Sequence, residues 1–269
     1  MLLDGKKLLI TGVLTDDSIA YAVASVAQEA GAEIVLTSFG RARSLTERVA
    51  KKLPGGAPDI LELDVNDESH ITAVREELMR RWGFVDGVVH AIGFAPADAL
   101  GGNFVNTTWE SVATAFQTSA FSLKALGVGL REPMVAARDR GGAALVSLTF
   151  DGRFAWPIYD WMGVAKAGLE AITRYLARDL GPDGIRVNTV SAGPIRTMAG
   201  KSIPGFDQIA GHWLDRSPLE WSLTDATPVG QMVAFLLSDW SAMTTGEMIH
   251  VDGGYHAMGT DIRGSRLGG

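Results

Sequence analysis

The sequence contains no cysteine. That absence excludes structural disulfides, thiolate metal sites and a catalytic thiol, and it suits a reducing compartment. Positive charge is not in surplus either. There are 24 Lys and Arg against 31 Asp and Glu, a net charge of −7, with no basic stripe. Nucleic acid and anionic membranes are therefore not expected as partners. No apolar run approaches the ~20 residues that span a bilayer. The opening MLLDGKKLLITG lacks the charged-then-apolar order of a signal peptide. A cytoplasmic protein is expected. The histidines, His70, His90, His212, His250 and His256, show no metal-ligand spacing, so no metal is expected. His90 follows an apolar run and reads as structural. What the chain has in excess is glycine: 32 of 269 residues, about 12% against a typical ~7%.

Short apolar runs alternate with longer amphipathic ones. Residues 7–12, 33–39, 60–65, 86–93, 143–150, 186–191 and 248–251 read as strands. Helical spacing fills 18–30, 41–53, 69–82, 107–140 (broken at Pro133), 162–180 and 227–237. Steady strand–helix alternation predicts a single α/β, Rossmann-type doubly wound domain with about seven parallel strands. Several of its strands are apolar on both faces, as a covered parallel sheet requires. Residues 197–224 interrupt the pattern with Met198, Ile203, Ile209 and Trp213 but no clear strand. Such a segment is either a substrate lid or a helical hairpin packed on the body. The Gly-rich tail 259–269 reads as flexible.

The first strand ends at Thr11-Gly12, and a helix starts near Ser18. A doubly wound fold binds a dinucleotide pyrophosphate at this turn, where close backbone approach and free helix N–H groups are needed. Gly12 offers the first, and Ser18 offers a cap and a hydroxyl for a phosphate. The usual G-x-G-x-x-G is absent, so this signal is weak. Tyr159 and Lys166 are seven apart, about two helical turns. An ammonium beside a phenol favours its ionisation and sharpens hydrogen-bond donation to an oxyanion. Taken alone, a packed tyrosine and a surface lysine are the more ordinary reading.

The run Tyr159-Asp-Trp-Met-Gly-Val-Ala-Lys166-Ala-Gly-Leu-Glu170 resembles the enoyl-acyl carrier protein reductases, a divergent branch of the short-chain dehydrogenase/reductase family. Ordinary members carry Y-x3-K, and here Gly163 stands where that lysine would fall. Further resemblances are Thr11-Gly12-Val13 with Ser18-Ile19-Ala20-Tyr21, the segment His90-Ala91-Ile92-Gly93-Phe94-Ala95-Pro96, Arg186-Val187-Asn188, and the run Ser191 to Thr197. Val251-Asp252-Gly253-Gly254 completes a likeness that covers about residues 2–258. It is nearest to the mycobacterial type.

The resemblance implies an NAD-binding reductase domain over residues 1–258, with its lid at 197–224. The implied reaction is hydride transfer from NADH to C3 of a trans-2-enoyl thioester, delivered by acyl carrier protein, in type II fatty-acid synthesis. Tyr159 would hold the thioester oxygen and Lys166 the nicotinamide ribose. Phe150, nine residues before Tyr159, would steer the enoyl chain or simply pack. The implied cofactor residues are Gly12, Val13, Ser18, Ile19, Phe39, Asp64, Val65, Ala91, Ile92, Gly93, Lys166, Ala192, Gly193, Pro194, Ile195 and Thr197. Substrate candidates are Phe94, Tyr159, Met162, Met198, Ile203, Ile209 and Trp213. The end of the second strand, Ser38-Phe39-Gly40-Arg41-Ala42-Arg43, has two arginines and no carboxylate, which by itself leans to NADPH. The mycobacterial-type resemblance implies NADH instead. Ala91 stands where the family usually has serine, which implies somewhat weaker cofactor binding. The 197–224 segment is shorter than in the mycobacterial type, which implies a shallower acyl groove. A homotetramer is implied as well. Two rivals are an ordinary ketone or alcohol dehydrogenase, opposed by Gly163, and a dinucleotide-binding regulator, opposed by the presence of both Tyr159 and Lys166.

Overall fold

β-Branched and leucine-rich runs form the sheet, and the amphipathic runs cover it. The computed structural model describes residues 1–262. Its strands are β1 (Lys7–Ile10), β2 (Glu33–Ser38), β3 (Ile60–Glu62), β4 (Gly87–His90), β5 (Ala143–Thr149), β6 (Ile185–Ala192) and β7 (Met248–Val251). All pair in parallel, in the order β3-β2-β1-β4-β5-β6-β7. The order reverses between β1 and β4, and ligands of open α/β sheets bind at such a switch point.

The strand period of two sends alternate side chains to opposite faces. Leu8 and Ile10 enter one core and Leu9 the other. On the first face lie α1 (Ile19–Glu29) and, from the far end of the chain, a helix at Thr227–Leu237. The other helices are α2 (Arg43–Ala50), α3 (Glu68–Trp82), α4 (Trp109–Phe116), α5 (Ser122–Gly129), α6 (Arg131–Val135), α7 (Asp160–Leu180), α8 (Met198–Lys201) and α9 (Phe206–Arg216), which makes Thr227–Leu237 α10. α3, α5 and α7 close the second face.

One expectation changes. The helix expected over 107–140 is broken well before Pro133. A π-helical turn at Gln117–Phe121 separates α4 from α5, and α5 ends at Gly129. Pro133 sits in the first turn of α6, where its missing N–H costs no intrahelical bond. Residues 197–224 form α8 and α9, and Ile209, Ala210 and Trp213 of α9 are buried in the first core. The segment is thus a packed helical element with a half-exposed rim at Met198. The flexible tail expected at 259–269 lies, from residue 263 on, outside the described residues. Among the described residues, no helix is long and apolar enough to cross a membrane.

Candidate active site

The strand ends at the switch point are tied together by one side chain. The Thr11 hydroxyl donates to the Val89 carbonyl (2.9 Å) and accepts the Ala91 N–H (3.0 Å). Gly12 follows with φ +81°, and a Cβ there would lie 2.0 Å from the Ala91 carbonyl oxygen. Only glycine fits, and the close approach that requires it is to the neighbouring strand end. Ser18 caps α1 by accepting the Tyr21 N–H, but its own proton goes to the Thr15 carbonyl at 2.7 Å. The expected spare hydroxyl for a phosphate is therefore already committed. The first N–H groups of α1, at Ile19 and Ala20, have no intrahelical acceptor and fit an anion.

Tyr159 is held by an unusual loop. Its neighbours Ile158 and Asp160 both have positive φ, 62° and 43°. For a β-branched residue such as Ile158 that is a strained conformation, of a kind that concentrates at functional sites. The surroundings enforce it. The Asp160 carboxylate accepts the N–H groups of Gly102 (2.6 Å) and Asn103 (3.0 Å), and the Ile158 carbonyl accepts that of Gly101 (2.8 Å). Gly163 lies under the phenol ring, with room for a Cβ at 3.5 Å from Tyr159 Cδ1. Phe150 meets the ring edge-on at 5.2 Å.

Lys166 is buried on α7, and its ammonium donates to the Leu148 carbonyl at 2.9 Å. An ammonium carries three protons. Two remain for a ligand, and Gly93 leaves the space open: a Cβ there would sit 3.9 Å from Nζ. A buried cation with unspent donors fits the ribose hydroxyls of a dinucleotide. Burial pulls the Lys166 pKa down to about 8, against the opposing pull of Glu170. The Tyr159 phenol is not driven toward ionisation, because burial and the Glu170 charge push its pKa up. Tyr159 is a neutral donor at any physiological pH.

Three supporting residues were not foreseen as part of the site. Glu170, one turn beyond Lys166, accepts from the Thr149 hydroxyl and the Gly152 N–H, both at 2.8 Å, and so ties the loop that carries Phe150 to α7. Burial raises the Glu170 pKa. Ser119, in the π-helical turn, accepts the Phe94 N–H and donates to the Phe94 carbonyl, both at 2.8 Å. Such turns often mark functional positions, but nothing in the local sequence announces this one. His90 is fully buried, with Nε2 2.8 Å from the Ser122 hydroxyl. Because Ser122 gives its proton to the Thr118 carbonyl, Nε2 is assigned as the donor. Burial and then the Lys166 charge lower the His90 pKa to about 3, so it stays neutral.

At the other end of the strand edge, Phe39 is 46% exposed, and Asp64 accepts the Asn66 N–H at 2.9 Å. Val13, Val65, Ala192 and Ile195 are buried, and Ile92 is packed against the second core, so these positions offer a cofactor chiefly backbone. A Cβ at Gly193 would strike Trp221 at 2.7 Å and Trp213 Nε1 at 2.9 Å, so the two tryptophans require glycine there. The Thr197 hydroxyl accepts the Gly200 N–H as the α8 cap; Pro194 gives its carbonyl to Trp221.

The substrate candidates divide into two groups. Tyr159 and Met162 cluster with Leu100, Ala165 and Ile203. Ile209 and Trp213 instead line a cavity of about 480 Å³ together with Trp156 and Tyr255. Phe150 and Trp156 belong to both groups. The indole of Trp213 stacks on Tyr255 at 3.7 Å and 7°, and the Arg216 guanidinium lies 4.5 Å from the centre of the Tyr255 ring. Phe94 and Met198 stand half-exposed at the rim.

A family model described as enoyl-(acyl carrier protein) reductase matches residues 12–256. The chain is similar to an enoyl-acyl-carrier-protein reductase (NADH) of Mycolicibacterium smegmatis, 43% identical over 267 residues that cover 94% of this chain and 97% of the relative. It is 41% identical over 266 residues to the protein of that name from Mycobacterium avium, with the same coverage. It is 43% identical over 256 residues to the NADH-named reductase of Neisseria meningitidis serogroup B, covering 94% of this chain and 95% of the relative.

Proposed function

The chain belongs to the enoyl-acyl carrier protein reductase family, and from that membership we propose how its residues reduce an enoyl thioester with NADH. The observation that carries the reading is a pair of buried donors. Beside the switch point lie a Tyr159 hydroxyl kept neutral and a Lys166 ammonium with two protons unspent. NADH, when bound, would supply hydride from its nicotinamide C4 to C3 of a trans-2-enoyl thioester, and the enolate so formed would take a proton from solvent at C2 to become the saturated acyl thioester. The negative charge that this places on the thioester oxygen is met by the Tyr159 hydroxyl. Lys166 holds the ribose hydroxyls and adds positive charge in a low-dielectric site. Phe150, wedged between Tyr159 and Trp156, keeps the enoyl chain along the ring edge. Gly12, Gly93 and Gly193 let backbone line the dinucleotide, and Phe39 and Asp64 flank its adenosine end.

The acyl thioester arrives on acyl carrier protein past Phe94 and Met198. The Trp213–Tyr255 stack, clamped by Arg216, walls the far side, which supports short-to-ordinary acyl chains over very long ones. Trp109, Phe116 and Phe121 are exposed on one chain, which supports burial against further copies, as in the expected homotetramer. A cytoplasmic site of action accords with the absence of cysteine.

One assay tests the reading: protein, NADH and a trans-2-enoyl thioester are mixed and the reduced-nicotinamide absorbance is followed. Steady loss is expected. Loss only with a ketone would identify an ordinary dehydrogenase, and binding without turnover a regulator.

A further inference from the structure

The second strand ends without an acid, yet a carboxylate stands beside it. Glu62, the last residue of β3, is in register with Ser38, the last of β2. Its Oε1 accepts the Gly40 N–H at 3.0 Å, and its Oε2 takes Arg43 Nη1 at 3.3 Å. Two more donors of the Arg43 fork are occupied: Nε donates to Glu47 at 3.0 Å and Nη2 to the Ile60 carbonyl at 3.0 Å. The Gly40 N–H and the Arg43 guanidinium hold the Glu62 carboxyl below the usual carboxylate range, so it is charged throughout the neutral range.

A nucleotide 2′-phosphate is recognised by arginine forks and backbone N–H groups. At this strand end Glu62 already engages the donors that such a phosphate would use. It also places a negative charge against the Gly40 N–H and Arg43, which opposes a second anion at this strand end. A 2′-hydroxyl, in contrast, can donate to a carboxylate.

We propose that Glu62 of β3, acting in place of the missing acid on β2, is the residue that makes this enzyme choose NADH over NADPH. The inference rests on the reading of this strand edge as a dinucleotide site. It offsets the bias that Arg43 gives in the sequence, since that side chain is held by two glutamates.

The test is direct binding without substrate. Fluorescence titration of the full-length protein gives Kd for NADH and for NADPH. Wild type is expected to favour NADH. In Glu62→Gln the ratio of the two Kd values should move about three- to fivefold toward NADPH, an effect of the size of one exposed charge contact. The gain should shrink at high salt, since the contact is open to solvent. In the double variant Glu62→Gln/Arg43→Gln it should vanish. An unchanged ratio in Glu62→Gln, whether or not its Tm falls, reduces Glu62 to a loop clamp and overturns the proposal while leaving the site's reading intact. A wild type that favours NADPH also overturns it. A wild type that binds neither dinucleotide overturns both the proposal and the reading beneath it.

Discussion

The two ends of the strand edge handle charge in opposite ways. At the β2–β3 end, Arg43, Glu47 and Glu62 are paired and largely solvated, with side chains 39% to 52% exposed. At the β4–β5 end, Lys166, Glu170, Tyr159 and His90 are buried, and each is displaced from its ordinary pKa. In water a charge pair at contact is worth about 1 kcal/mol, and several times that where water is excluded. The exposed end can therefore sort ligands by a factor of about five. The buried end can support chemistry, and it is also the end that responds to pH. Salt should affect the first and protons the second.

The largest effect that would break this comparison lies at Tyr159. Tyr159→Phe keeps the ring against Phe150 and removes the donor. A fall in kcat of about 10²- to 10³-fold is expected, with little change in Tm. A loss under threefold would mean that the hydroxyl does not meet the developing charge.

Next comes Lys166. Burial lowers its pKa to about 8, so the free protein loses this proton as pH rises through that value. A ligand that needs the ammonium must then take up a proton to bind. NADH affinity should fall toward tenfold per pH unit above about 8, and Lys166→Arg should flatten the curve. A Kd that is level from pH 7 to 9.5 in wild type would place the ligand away from this ammonium.

The smallest effect at neutral pH concerns His90. Its pKa falls from 6.5 to about 3 on folding. The unfolded chain therefore binds the extra proton first as the solution is acidified. Stability is full above pH 6.5 and is lost as pH drops toward 3, by up to about 1.4 kcal/mol per unit. Denaturation at pH 7 and pH 5 should show that slope in wild type and not in His90→Gln. Equal slopes would assign it elsewhere.

Much of this was legible along the chain. The seven strands and their parallel pairing follow from apolar runs separated by amphipathic ones. Tyr159, Lys166, Gly12 and Gly93 could be picked out by spacing and by their place at strand ends. Glu62 could not, because it sits on β3 and acts on the loop after β2, and only the register Ser38↔Glu62 brings them together. Ser119 was hidden inside what reads as ordinary helix. The break before α6 was misplaced because proline is a strong local signal, while a π-helical turn has none. The net shift of Tyr159 was not legible either. Sequence distance gives a neighbouring charge but not the depth of burial, and here burial dominates.

The sequence by itself determined the fold class, because hydrophobic period is a local property, and its motifs carried the resemblance that singled out Tyr159 and Lys166. Only the tertiary structure decided which donors are free and which are spent. It placed Arg43 between two glutamates, closed the Ser18 hydroxyl onto Thr15, and left Lys166 with protons to give. Those outcomes depend on distances between residues far apart in the chain and on how much water reaches them, and neither is written in the order of residues.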